Sequence, residues 1–106
     1  MKHENFNKFL DEILVKVKST LASKSSDYST TDDKLFNFKL QGRIDGITSI
    51  EALRGNSRKH RASICQGLDE LQQTGKPRPY EWWLEKSIDD INYTILMLAM
   101  MCSGEF

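Results

Sequence analysis

Apolar side chains recur along this chain at intervals of three and four residues, and no stretch alternates cleanly between apolar and polar. A period near 3.6 marks amphipathic helix, whereas alternation marks strand. The pattern predicts four helices. The first covers about 5–22, where Phe6, Phe9, Leu10, Ile13, Leu14, Val17 and Leu21 form one broad stripe. The following run, SKSSDYSTT, reads as a loop, because Ser, Thr and Asp offer the backbone local hydrogen bonds that compete with helix.

A second, shorter helix is expected over about 32–44, opened by a capping box at Ser29-x-x-Asp32 or Thr30-x-x-Asp33. It carries Leu35, Phe36, Phe38 and Leu40, and Gly42 and Gly46 mark its end. Thr48-x-x-Glu51 is a cleaner capping box and opens a third helix over 49–74, stopped by Gly75. Its inner row is Ile50, Leu53, Ser57, His60, Ile64, Gly67 or Leu68, and Leu71. Pro77 and Pro79 end the linker, and a fourth helix follows over about 81–102. Its row is Leu84, Ile88, Ile91, Ile95, Leu98 and Cys102. From Ile95 onward it is apolar on nearly every side, which fits the centre of a bundle or a subunit contact. The expectation is one all-α domain over 1–106, an antiparallel four-helix bundle, paired as a homodimer through the apolar end of the fourth helix.

Composition narrows the class. The 106 residues include 39% apolar and 28% charged positions, an ordinary globular mixture. That excludes a collagen-like repeat, a disulfide scaffold and a disordered tail. Fifteen basic residues balance fifteen acidic ones, so a globally basic nucleic-acid binder is excluded as well. Cys65 and Cys102 form no CxxC pair and are expected to be reduced core thiols. MKHENFNKFL has no apolar signal core, and the longest apolar run, Ile95 to Cys102, falls well short of the roughly 20 residues a membrane span needs. The expectation is a cytoplasmic protein with no membrane contact. Gly104-Glu105-Phe106 is given no role.

The neutral total hides a division. Arg54, Arg58, Lys59 and Arg61 fall within eight residues with no acid among them. Glu81, Glu85 and Asp89, with Asn92, lie at spacings of four, four and three on one face of the fourth helix. Adjacent carboxylates repel unless a cation lies nearby, and Mg²⁺ or Mn²⁺ favours oxygen ligands of this kind. The plainer reading is a solvated acidic face paired with Lys86 and the arginines. Arginine forks suit phosphate oxygens, so Arg54, Arg58, Lys59 and Arg61 form a candidate phosphate or DNA contact; the plainer reading is an exposed basic face. His60 is either a core histidine with one hydrogen bond or a ligand or acid–base group opposite Glu85 and Asp89. Asp27-Tyr28 has no evident structural need. Trp82 and Trp83 are expected to pack at the start of the fourth helix, with base stacking as the alternative. There is no glycine-rich phosphate loop and no Ser/His/Asp or Cys/His motif.

Lys24-x-x-Asp27-Tyr28, Leu35-Phe36-Asn37-Phe38, Lys59-His60 with Ser63-Ile64, and Glu85-Lys86-x-x-Asp89-x-x-Asn92-Tyr93 stand in this order. As a set they resemble small phage and prophage proteins related to the all-α nucleoside triphosphate pyrophosphohydrolases, the MazG-like and dimeric dUTPase-like enzymes. The resemblance spans about Lys24 to Met101. It implies a MazG-like bundle in the host cytoplasm that binds nucleotides. Glu85, Asp89 and Asp27 would hold Mg²⁺ or Mn²⁺, His60 and Asn92 would complete or orient the site, and Arg54, Arg58, Lys59, Arg61 and Tyr28 would face the phosphates and substrate. The chain departs from the usual E-x-x-E and E-x-x-D pairs. Glu85-x-x-x-Asp89 is one residue longer, and Lys59-His60 stands where acids are usual, so Asp27 or Asp33 would have to supply a ligand. The competing expectation is a non-enzymatic inhibitor or regulator that acts on a host protein, or on DNA, through the same helices.

Overall fold

The computed structural model describes residues 1–28 and 32–106, the side chains of 23–28 excepted. It contains four helices: α1 (His3–Tyr28), α2 (Phe36–Asp45), α3 (Ser49–Thr74) and α4 (Tyr80–Ser103). The described residues contain no strand. None of these helices is long and apolar enough to cross a membrane.

α3 keeps the expected bounds. At its start, the Glu51 N–H donates to Thr48 Oγ1 at 3.2 Å, which satisfies one of the first-turn donors that a helix cannot satisfy itself. At its end Gly75 turns left-handed, with φ 71°, and its N–H returns to the Leu71 carbonyl. α1 runs on through most of the segment expected to be a loop. Nothing between His3 and Tyr28 is a glycine or proline, and an established helix gains a hydrogen bond for each residue added. Ser29, Thr30 and Thr31 lie outside the described residues, so neither candidate capping box can be placed there. α2 starts at Phe36, four residues later than expected. The Leu35 N–H donates to Asp33 Oδ1 at 2.9 Å. The aspartate thus closes a side-chain turn on the residue two ahead and does not cap a helix starting beside it.

α3 and α4 form an antiparallel hairpin around the Gly75–Pro79 connection. Residue numbers rise on one helix as they fall on the other along the seam. Glu70 meets Arg78, with Nη2–Oε1 at 2.5 Å, then Gly67 meets Trp82, Arg61 meets Asp90, and Leu53 joins Met100 in the core. α2 packs on α3, and α1 packs on α4. The buried core joins Leu35 and Phe38 of α2, Ala52 and Leu53 of α3, and Met100 of α4, with Ile50, Tyr93 and Leu96 against it.

The buried row of α4 is Ile88, Asn92, Leu96 and Met100, at strict four-residue spacing, with Leu96 partly exposed. The expected row shares only its early part with this one, because Ile91, Ile95 and Leu98 stand on a neighbouring face, open to solvent. A segment that is apolar on every side gives no sequence signal for which face turns inward. Cys65 and Cys102 are both exposed, not core thiols. The terminal segment also has a use. The Glu105 N–H donates to the Met100 carbonyl at 3.1 Å. The Glu105 side chain takes Lys39 Nζ at 2.6 Å, and the same Nζ meets Asp33 Oδ2 at 2.6 Å.

Candidate functional site

α2, α3 and α4, with Leu21 of α1, line a cavity of about 440 Å³ that is partly open to solvent. α2 contributes Asn37, Phe38 and Gln41, α3 contributes Asn56, α4 contributes Asp89, Asn92, Tyr93 and Leu96, and α1 contributes Leu21. Asp33 and Lys34, from the turn before α2, complete one wall. Asn37 and Gln41 share a face because they are one helical turn apart. Asn56 lies three residues beyond Leu53, so packing of Leu53 in the core carries the amide to the cavity wall. Asn92 takes its place from the buried row of α4.

The polar lining is dominated by carboxamides. Asn56 Nδ2 donates to Gln41 Oε1 at 2.7 Å and to the Ala52 carbonyl at 2.9 Å. Asn92 is only 3% exposed, and neither its Nδ2 nor its Oδ1 has a hydrogen-bond partner among the described residues. A buried amide without partners is costly, by about 1–3 kcal/mol. An amide offers a donor and an acceptor side by side. Phe38 and Tyr93 set their rings edge to face, with centroids 6.3 Å apart.

His60 stands behind this wall. Its ring lies 5.2 Å from that of Tyr93. Its Nδ1 is buried without a hydrogen bond among the described residues and lies 3.6 Å from Asp89 Oδ2. That separation is too long for a hydrogen bond but close enough for an ion pair if the ring takes a proton. His60 therefore touches Asp89 and Tyr93 without lining the cavity itself.

The remaining expected site residues divide sharply. Of the carboxylates on α4, Glu81 and Glu85 are exposed, and only Asp89 reaches the cavity. Asp33 also lines it, but its carboxylate receives Lys39 and the Leu35 N–H, which hold its pKa below the ordinary aspartate value. Among the described residues no group of three His, Cys, Asp or Glu is placed to hold a metal ion. The expected set of Glu85, Asp89 and Asp27 is therefore not assembled by the described side chains, and those of Asp27 and Tyr28 lie outside them.

Arg54, Arg58, Lys59 and Arg61 are exposed, and none lines the cavity. Arg61 instead pairs with Asp90, Nε to Oδ1 at 3.2 Å. The cation on the cavity wall is Lys34. Its Nζ donates to the Leu21 carbonyl, and burial pulls its pKa below that of an ordinary lysine. Trp82 and Trp83 pack away from the cavity. They meet edge to face at 4.9 Å, Trp82 lies under the Arg78 guanidinium, and Trp83 Nε1 donates to the Arg78 carbonyl at 3.0 Å.

Sequence reading overlooked Gln41, Asn56 and Lys34 as site residues. Asn37 and Gln41, four apart on one short helix, were the available signal, because two amides on one turn are poorly explained by capping. Neither protein-family models, nor curated proteins, nor solved structures match this chain.

Proposed function

We propose that the cavity between α2, α3 and α4 binds a nucleotide, with the heterocycle held by the carboxamides. The observation that carries this reading is Asn92, a buried amide whose two polar atoms have no partner among the described residues, on the wall of a ligand-sized cavity. Small-molecule sites commonly run from about 300 to 1,000 Å³ and combine an apolar wall with a few convergent polar groups. Amides suit the edge of a base, where a donor and an acceptor lie side by side, as asparagine and glutamine pair with adenine. Phe38 and Tyr93 supply aromatic surface, and Lys34 supplies positive charge for a phosphate. Arg54, Arg58 and Lys59 form an outer basic face that a longer polyphosphate could approach.

Mg²⁺ or Mn²⁺ belongs to this reading only as an ion shared between Asp89 and the phosphates of a bound ligand. The described acids do not form a metal cage, so the proposal is binding, and no hydrolytic step is assigned.

The test is calorimetric titration of the full chain with a panel of nucleoside triphosphates and monophosphates, with and without Mg²⁺. At least one nucleotide should bind the wild type, and Asn92→Leu should weaken it at least about tenfold, the loss of one or two hydrogen bonds. Absence of binding across the panel would end the proposal. Pyrophosphate release, followed in the same samples, separates a binding protein from an enzyme.

A second reading, an inhibitor or regulator that acts on another protein, is favoured by the uncovered apolar rows on α1 and α4. Recovery of a specific host protein with the wild type, lost in Leu14→Glu, would support it over nucleotide binding.

A further inference from the structure

We infer, building on the nucleotide reading of the cavity, that Gln41 and Asn56 are its specificity pair: they take a ligand edge that sets a hydrogen-bond donor beside an acceptor, and they disfavour a phosphate. A carboxamide can present either its NH₂ or its oxygen. Here a backbone group decides. The Ala52 carbonyl carries no hydrogen, so the Asn56 atom 2.9 Å from it is the donor, Nδ2. An oxygen in that place would set lone pair against lone pair. The second hydrogen of Nδ2 goes to Gln41 at 2.7 Å, so the Gln41 atom that meets it is the acceptor, Oε1. A carbonyl of α3 thereby orients a side chain of α2 by relay.

The relay settles what each residue has left for a ligand. Both line the cavity. With the hydrogens of its amide engaged, Asn56 offers Oδ1, an acceptor. With its oxygen engaged, Gln41 offers the hydrogens of Nε2, a donor. Asn92 differs, because neither of its polar atoms has a partner among the described residues. It can turn either end to a ligand and so discriminates little. An ionised phosphate or carboxylate carries acceptors only. It gains from Gln41 Nε2, but against Asn56 Oδ1 it leaves two acceptors facing each other with no hydrogen between them, which is unfavourable. A nucleobase edge carries a donor and an acceptor side by side and satisfies both residues at once. The pair therefore reads the heterocycle and leaves the phosphates to other parts of the wall.

The experiment follows the side-chain amide signals of Gln41 and Asn56 by NMR in the full chain. In the free wild type the Asn56 NH₂ should exchange with water several-fold more slowly than that of Gln41, since only the former is hydrogen-bonded. Equal or reversed rates would overturn the inference. Adenosine, guanosine, cytidine and uridine carry no phosphate and isolate the heterocycle. At least one should shift both signals, and inorganic phosphate at the same concentration should shift neither. Gln41→Glu keeps the oxygen that Asn56 meets and replaces the free donor with an acceptor. It should leave stability nearly unchanged, as a surface substitution does, and weaken that nucleoside at least about tenfold. Gln41→Met, which removes the donor without adding charge, should weaken it several-fold. Nucleoside binding unchanged in both variants would overturn the inference. So would binding of the triphosphates with no binding of any nucleoside, although nucleotide binding itself would then stand. Binding of neither class would remove the nucleotide reading and the specificity pair together.

Discussion

Gly67 of α3 meets Trp82 of α4 so closely that a Cβ built on the glycine would lie 2.7 Å from the indole ring. Trp82 cannot easily retreat, because Trp83 and the Arg78 guanidinium hold it on other sides. Alanine normally stabilises a helix by up to about 1 kcal/mol relative to glycine. Gly67→Ala should instead destabilise by about 1–3 kcal/mol, the usual cost of overpacking. Gly55, on the same helix with nothing within 4 Å of the corresponding position, should give the ordinary gain. Urea unfolding of the two variants side by side checks both signs.

Asn92 should show stability and binding moving in opposite directions. Replacing a buried amide that has no partner among the described residues with leucine removes a desolvation cost of about 1–3 kcal/mol. Asn92→Leu is therefore expected to raise the urea midpoint while weakening the ligand. A lower midpoint would mean that the amide has a partner in the folded protein.

Acid should weaken the junction of Asp33, Lys39 and Glu105. Lysine hydrogen bonds hold both carboxyls below their ordinary pKa values. A lowered folded pKa gives stability that is complete above the unfolded value, near 4, and is lost as pH falls through the folded one. The urea midpoint should therefore drop below about pH 4, and Lys39→Met should flatten that limb while leaving a smaller, pH-independent loss. All three groups are substantially solvated, so the slope, not its size, is diagnostic.

The cap at Thr48 should account for about 1 kcal/mol. Thr48→Ala removes the acceptor for the Glu51 N–H, and Thr48→Ser should restore most of the loss. Thermal unfolding of the three proteins is sufficient to check it.

Much of the framework was legible because its signals are local. Thr48-x-x-Glu51 and Gly75 bracket α3, and the paired prolines precede α4. The start of α2 was not legible, because Asp33 can cap a helix or close a turn, and only the surrounding packing decides. The inward face of α4 was illegible for a different reason. Ile95 to Cys102 is apolar all round, and contact with Leu53 and Phe38 selects Met100 over Leu98. The site was the least legible part. Asn37, Gln41, Asn56 and Asn92 come from three helices, and a spacing within one helix links only Asn37 with Gln41. Asp89 and Asn92 stand three apart on α4 and both line the cavity, while Glu85 shares their spacing but faces solvent.

The hairpin of α3 and α4 has a consequence for how the chain assembles. Its contacts pair positions at steadily greater sequence separation, beginning with Glu70 and Arg78 next to Gly75 and ending with Leu53 and Met100. Closing the nearest pairs first costs the least loop entropy, so folding should zip outward from the turn. The amide-lined cavity lies toward the far end of that zipper, and its walls are complete only after α2 docks. Substitutions at Glu70 or Gly67 should therefore slow folding, whereas those at Asn92 should mainly alter unfolding, a contrast that φ-value measurements would reveal. A ligand held by Asn92 and Gln41 would then act on the last step of folding, fastening the end of the molecule that closes latest and opens first.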